Sequence, residues 1–187
     1  MNITEIERDK YARMWSVDMY HINSPGERLV PSFLEHCGWE PGDTLIDLGC
    51  GTGRAGKKFA KAGMDVTLLD FVNAVDDNNH LPFMNACLWE LPKGETFDWI
   101  FSADVLEHIP TERVADVLDG MARLTGKGGM LQIAQFPDGC GNMIGETLHL
   151  TIKPTNWWMD KINARWNARI VDGESGRLLV VLGETNI

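Results

Sequence analysis

Two groups of residues in this chain have the types and spacing to do chemistry. The first is Asp47-Leu48-Gly49-Cys50-Gly51-Thr52-Gly53, an acid followed by glycines at alternate positions. Glycine has no Cβ, so such a stretch turns sharply and lets a ligand lie against bare backbone. A helix starting there offers unpaired N–H groups and the positive end of its dipole, which suit a carboxylate or a phosphate. A dinucleotide fingerprint needs a sixth-position glycine counted from Gly49, and that position is Arg54. A further acid, Asp70, stands 21 positions past Gly49, where a carboxylate can accept from both hydroxyls of a ribose. The second group is Asp104, Glu107 and His108, at i, i+3 and i+4. One helical turn would put all three on one face. Carboxylate oxygen and imidazole nitrogen suit a divalent cation, and an imidazole is equally a proton carrier near neutral pH.

These groups need elements to position them. Thr44 to Leu48 is a short apolar run that reads as a buried strand leading into the glycines. A helix from Arg54 to Ala62 follows and Gly63 stops it. Val66 to Leu69 forms a second strand that ends at Asp70. Phe83 to Leu88, Phe97 to Ser102 and Met130 to Gln135 are further strands, the last after a turn at Gly126 to Gly129. A helix runs from Thr111, its cap, to Leu124. A Gly-rich loop, Pro137 to Gly145, leads to Leu148 to Ile152, and Pro154 opens a helix to about Trp166. Ala168 to Val171 and Leu178 to Leu182 flank a turn at Asp172 to Gly176 and read as a terminal antiparallel hairpin. Ahead of all this, Thr4 to Tyr20 is expected to be helical. Ser24, Pro25 and Glu27 look like a capped start for a second helix ending near Gly38.

Strands alternating with helices imply an α/β fold, a Rossmann-like, mostly parallel sheet with helices on both faces. Ligands in such sheets bind at the carboxyl ends of the strands, where the loops carrying both groups lie. We expect one domain over residues 1–187, with 1–40 as an N-terminal helical cap and 41–187 as the ligand-binding core.

Composition narrows the partners. The chain carries 27 acidic against 17 basic residues, a net charge of −10, which argues against a broad nucleic-acid surface. Cys37, Cys50, Cys87 and Cys140 form no CxxC pair, so a disulfide scaffold or zinc ribbon is not expected and a reducing cytoplasmic setting fits. The first ten residues lack the apolar core of a signal peptide, and no apolar run approaches the length of a membrane span.

The segment Leu45 to Gly53 resembles the S-adenosylmethionine (SAM) loop of class I methyltransferases. Val66 to Asp70 resembles their second strand and ribose acid, Phe97 to Pro110 their fourth strand and following loop, and Leu124 to Gln135 their fifth strand. The resemblance, over about Leu45 to Gln135, implies a seven-stranded sheet with its last pair antiparallel. It implies that Asp47, Gly49, Cys50, Gly51 and Gly53 hold the methionine part of SAM and Asp70 the ribose. Cys87, Leu88 and Trp89 would flank adenine, with Phe71, and Ala103 and Asp104 at the end of the fourth strand, as further cofactor-binding residues. Cys87 occupies a position where an acid is common in the family, so backbone groups would supply the adenine contacts. Asn23 to Arg28 is similar to an Asn-Pro-x-x-Arg-like stretch of ubiquinone-pathway methyltransferases, so Arg28 is either a partner of the SAM carboxylate or a plain surface arginine. Asp104-x-x-Glu107-His108 with the later His149 is similar to the Glu-x-x-Glu-His and His set of metal-using O-methyltransferases. That likeness makes Asp104, Glu107, His108 and His149 candidate ligands of a divalent metal. In its absence, His149 or His108 is the candidate base. Trp157 and Trp158 either wall an acceptor pocket or belong to the core and surface; Tyr20 and His21 are candidates for its mouth.

The expected function is SAM-dependent methylation, on an oxygen of a small-molecule or glycan acceptor, by a monomer or homodimer. A SAM-binding partner subunit without its own turnover is the alternative. An NAD-dependent oxidoreductase is disfavoured by Arg54 and by the lack of a Tyr-x-x-x-Lys pair.

Overall fold

The computed structural model describes residues 2–22, 24–171 and 176–186. Asn23 and most of the expected turn, residues 172–175, lie outside them. Seven strands form one sheet: β1 (Thr44–Leu48), β2 (Asp65–Asp70), β3 (Phe83–Asn85), β4 (Phe97–Ala103), β5 (Thr125–Ala134), β6 (Trp166–Val171) and β7 (Arg177–Thr185). Their order is β3-β2-β1-β4-β5-β7-β6. The first five are parallel, and β7 runs antiparallel to both β5 and β6.

The two-residue period of the strands sorts their side chains between two apolar layers. Leu45, Val66, Leu68, Trp99 and Phe101 face one side. There they meet Val30 and Phe33 of α3 (Pro25–His36) and Ala55 and Phe59 of α4 (Arg54–Ala62). Ile46, Leu48, Leu69, Ile100 and Leu131 face the other side. They pack on α5 (Val114–Leu124) and α6 (Thr155–Asn163), with Trp158 and Trp166 fully buried. A smaller cluster joins Tyr11 and Met14 of α1 (Ile3–Trp15) to Leu148. The short α2 (Asp18–His21) follows α1. Among the described residues no helix is long and apolar enough to cross a membrane.

The chain leaves β1 for β2 on one side and later enters β4 on the other. The carboxyl ends of β1 and β4 therefore border the crevice where the strand order reverses. The glycines emerge from one end and Asp104 from the other.

Several local expectations are corrected. Gly126 to Gly129 does not make a separate turn, because β5 begins at Thr125 and pairs Gly128 and Gly129 with Trp99 and Ile100. Ladder bonds outweigh glycine's turn preference there. Strand β3 stops at Asn85, and a 3-10 turn at Leu88–Glu90 instead delivers Leu88 and Leu91 to the core. Ser24 makes no side-chain cap, and Glu27 pairs with Lys58. The capping box present is Asn2 with Glu5, at the start of α1. Thr111 opens a 3-10 turn rather than capping α5, and its hydroxyl meets that of Thr151. Leu148 to Ile152 is irregular, pinned where Leu150 and Thr151 N–H groups donate to the Glu107 carbonyl at 2.8 and 2.9 Å.

Candidate active site

Between β1 and α4 the backbone turns through Gly49 at φ 75° and Gly51 at φ 51°, left-handed conformations in which an L side chain is strained. The bare backbone also leaves no room for a Cβ. One at Gly49 would lie 2.5 Å from Val105 Cγ2, and one at Gly51 2.9 Å from the Trp15 ring. This cradle is held by Asp70, whose Oδ2 accepts the Gly51 N–H at 3.0 Å and whose Oδ1 accepts the Val72 N–H at 3.2 Å. Burial raises the Asp70 carboxyl above its ordinary range, although those N–H bonds oppose the shift. Asp47 is buried under the loop. Desolvation, with a smaller contribution from Asp70 and an opposing N–H bond from Gly56, pushes it up to about 7. Its Oδ2 has no partner among the described residues.

The crevice has two chambers. One is lined by Asp70, Phe71, Cys87, Leu88 and Trp89. The other runs from Asp47, Gly51 and Ala103 past Cys50 to His108, His149 and Phe136. Gly49, Asp104, His108, Trp15 and Tyr20 line both, so the two are halves of one cleft roofed by α1 and α2. The roof is fastened at several points. Trp89 Nε1 donates to Thr4 Oγ1 at 3.0 Å, Lys10 Nζ to the Thr147 carbonyl at 3.3 Å, and Arg13 pairs with Glu146.

At the far end sit Glu107, His108 and His149, with one ligand-type atom from each lying within 4.8 Å of the others. Glu107 is fully buried, and neither carboxyl oxygen has a hydrogen-bond partner among the described residues. Burial, then the charge of Asp104, pushes its carboxyl well above the usual range. His149 Nδ1 is 2.6 Å from the Phe136 carbonyl, and its Nε2 is 4.0 Å from Glu107 Oε1. A carbonyl only accepts, so Nδ1 carries the proton and the Nε2 lone pair is free. The His108 ring stands edge-on to His149 with centroids 4.7 Å apart. Burial, then His149, lowers its pKa to about 3, so it is a neutral imidazole.

Asp104 does not join this group. The expected helical turn does not form: Asp104 has φ 53° and only Leu106–His108 makes a 3-10 turn. The left-handed residue, a conformation aspartate tolerates better than most, turns its carboxylate away. Gln132 Nε2 donates to it at 2.7 Å and Arg177 Nε at 3.2 Å.

A family model described as a methyltransferase domain matches residues 45–129, the span that holds the cradle, Asp70, Asp104 and the Glu107-His108 pair. That span is similar to class I methyltransferase domains. Solved structures share the fold at low identity. An N-methyltransferase, NodS, from Bradyrhizobium japonicum WM9, in complex with S-adenosylhomocysteine, superposes with a TM-score of 0.67 at 16% identity, covering 95% of this chain and 98% of that one. The magnesium protoporphyrin IX methyltransferase of Synechocystis PCC 6803 with bound SAM gives 0.65 at 19%, covering 98% of each. A 1,6-didemethyltoxoflavin-N1-methyltransferase from Burkholderia thailandensis, with its acceptor and S-adenosylhomocysteine, gives 0.68 at 16%, covering 95% and 86%.

Arg28 is an exposed residue of α3 and lines neither chamber. The backbone of that stretch approaches the cleft through Ser24, Pro25 and Gly26 instead. Gly53, at φ 72°, caps α4 and lines neither chamber; a Cβ there would lie 2.5 Å from Asn79 Nδ2 and 2.9 Å from Leu68 Cδ1. Trp158 belongs to the core, and Trp157 is a half-buried surface ring beneath Lys153 and Lys161. His21 bonds the Trp15 carbonyl through its ring instead of facing the mouth, whereas Tyr20 lines it. Sequence reasoning missed Tyr11, Trp15, Phe136 and Arg177. For Tyr11 a signal was present: Glu7, Lys10, Tyr11 and Met14 form one stripe of α1, and all four are buried.

Proposed function

We propose that the chain transfers a methyl group from SAM to an oxygen of a small-molecule or glycan acceptor. The observation that carries this reading is the continuous cleft from Asp70 to His149, lined by the backbone of Gly49 and, on one side, Gly51, where a Cβ would collide with Val105 or Trp15. Asp70 would take the ribose hydroxyls, and Phe71, Leu88 and Trp89 the adenine. Asp47, with the backbone around Gly49 to Gly51, would take the methionine part above Ala103. Bound there, SAM supplies an electrophilic methyl on a positively charged sulfur. The roof of α1 and α2 excludes water and orients the acceptor, which is where most of the rate acceleration of a displacement arises. Within residues 1–40, α1 and α2 thus act as the cap, whereas α3 packs into the core of 41–187.

An oxygen nucleophile must lose its proton. The free Nε2 lone pair of His149 can take it, and the Glu107 carboxyl, 4.0 Å from that nitrogen, can balance the charge as a carboxylate. The same three side chains fit a divalent cation: two imidazoles and a carboxylate without a hydrogen-bond partner among the described residues form a common facial donor set. Such an ion would add Lewis-acid activation of the acceptor hydroxyl.

Calorimetry with SAM, S-adenosylhomocysteine and NAD tests the cofactor: the first two should bind and NAD should not. SAM binding without turnover on any hydroxyl acceptor would favour a partner subunit instead. His149→Ala should cut turnover by about 100-fold or more with SAM affinity retained. Unchanged turnover and unchanged metal content would remove both the base and the metal assignment.

A further inference from the structure

Helix α1 does more than roof the cleft. Its Tyr11 hydroxyl lies 2.6 Å from His108 Nδ1, across 97 residues of sequence. The same Nδ1 is 3.2 Å from the Leu148 carbonyl, which also lies 3.5 Å from the Tyr11 hydroxyl. Two acceptor lone pairs do not share so short a distance, and a carbonyl cannot donate. The Leu148 contact favours a proton on Nδ1, shared with the Tyr11 oxygen, over the arrangement in which the phenol donates to a bare Nδ1. The phenol in turn directs its own hydrogen at that carbonyl. Tyr11 is buried, so water is poorly placed to substitute. Its ring is fixed edgewise to His108, with centroids 5.7 Å apart, and tilted against Phe71 at 5.6 Å.

We infer that Tyr11 is a positioning residue, holding His108 in the tautomer whose free lone pair is on Nε2. Its role in catalysis rests on the proposed use of the Glu107, His108 and His149 cluster. Without the phenol, the Nδ1 proton keeps one longer bond, and the tautomer protonated on Nε2 gains population. That form has no lone pair left to offer the cluster. Docking of the cap helix and readiness of the site become one event, because the residue that sets the imidazole belongs to the cap.

The test uses the ligand-free protein labelled with 15N-histidine. Long-range 1H–15N spectra distinguish a protonated from a bare ring nitrogen. The wild type should show His108 protonated on Nδ1. Tyr11→Phe, which keeps the ring contacts, should shift His108 toward the Nε2-protonated form and lower kcat about tenfold, with KM for SAM within twofold of wild type. Arg13→Ala, which loosens the cap at the Glu146 pair but spares the phenol, should leave the tautomer as it is. A wild-type ring protonated on Nε2, or His108 signals unmoved in Tyr11→Phe, overturns the inference. A moved tautomer with full turnover overturns its catalytic consequence. Failure of SAM to bind would defeat the methyltransferase reading separately, since the spectra need no ligand.

Discussion

Gly49 shows how little freedom a single position in the cleft has. Its left-handed φ alone costs an alanine about 1–2 kcal/mol, and the overlap with Val105 adds to that. Gly49→Ala should therefore lose about 2 kcal/mol or more by urea unfolding, along with most of its SAM affinity. An alanine that costs nothing would mean the loop is not under steric constraint. Asp47 gives a pH signature. It titrates near 7 in the fold and near 4 in an unfolded chain, at about 3.9. Between those values the folded state binds more protons, so the stability contribution is fully present below about pH 4 and is lost as pH rises through about 7. His108, lowered to about 3, acts in the opposite sense: its contribution is present above the unfolded value of about 6.5 and is lost as pH falls through the folded one. The clean measurement is the difference in unfolding free energy between wild type and Asp47→Asn. That difference should fall by a few kcal/mol from pH 4 to pH 7, and a flat one would mean an ionised Asp47.

At the scale of elements, α6 and α1 make opposite contributions. The α6 ring of Trp158 is fully buried among α5 and the sheet, so Trp158→Ala should cost about 3–5 kcal/mol. SAM affinity of the molecules that remain folded should be unaffected, because α6 touches neither chamber. Trp157→Ala, removing a half-buried ring beneath two lysines, should cost under about 1 kcal/mol. If the two substitutions cost the same, the assignment of one tryptophan to the core and one to the surface is wrong. The strands and helices were legible because their apolar periods are local. The break at Asp104 was not. Asp104, Glu107 and His108 have helical spacing, but the end of β4 turns through a left-handed residue whose carboxylate is claimed by Gln132, 28 positions away, and Arg177, 73 away. No window of sequence contains all of those partners.

At the scale of the whole molecule, the cleft lies where the strand order reverses, and its roof is attached to three separate loops: Trp89, His108 and the Glu146–Thr147 segment. Ligand bound under such a roof should stabilise the fold as a unit. S-adenosylhomocysteine at about 100 times its Kd adds about 2.7 kcal/mol, which raises Tm by about 5–10 °C for a domain of this size. NAD should leave Tm unchanged, and a shift with NAD alone would reverse the cofactor assignment. The sequence by itself determined the strand–glycine–helix cradle, the acid after the second strand and the order of strands and helices, because backbone freedom and side-chain period are properties of neighbouring residues. Only the tertiary structure decided that Asp104 leaves the acid–histidine group, that Arg28 lies outside, and that Tyr11 reaches His108. Those outcomes depend on which surfaces pack together and which buried polar atoms must find partners far along the chain.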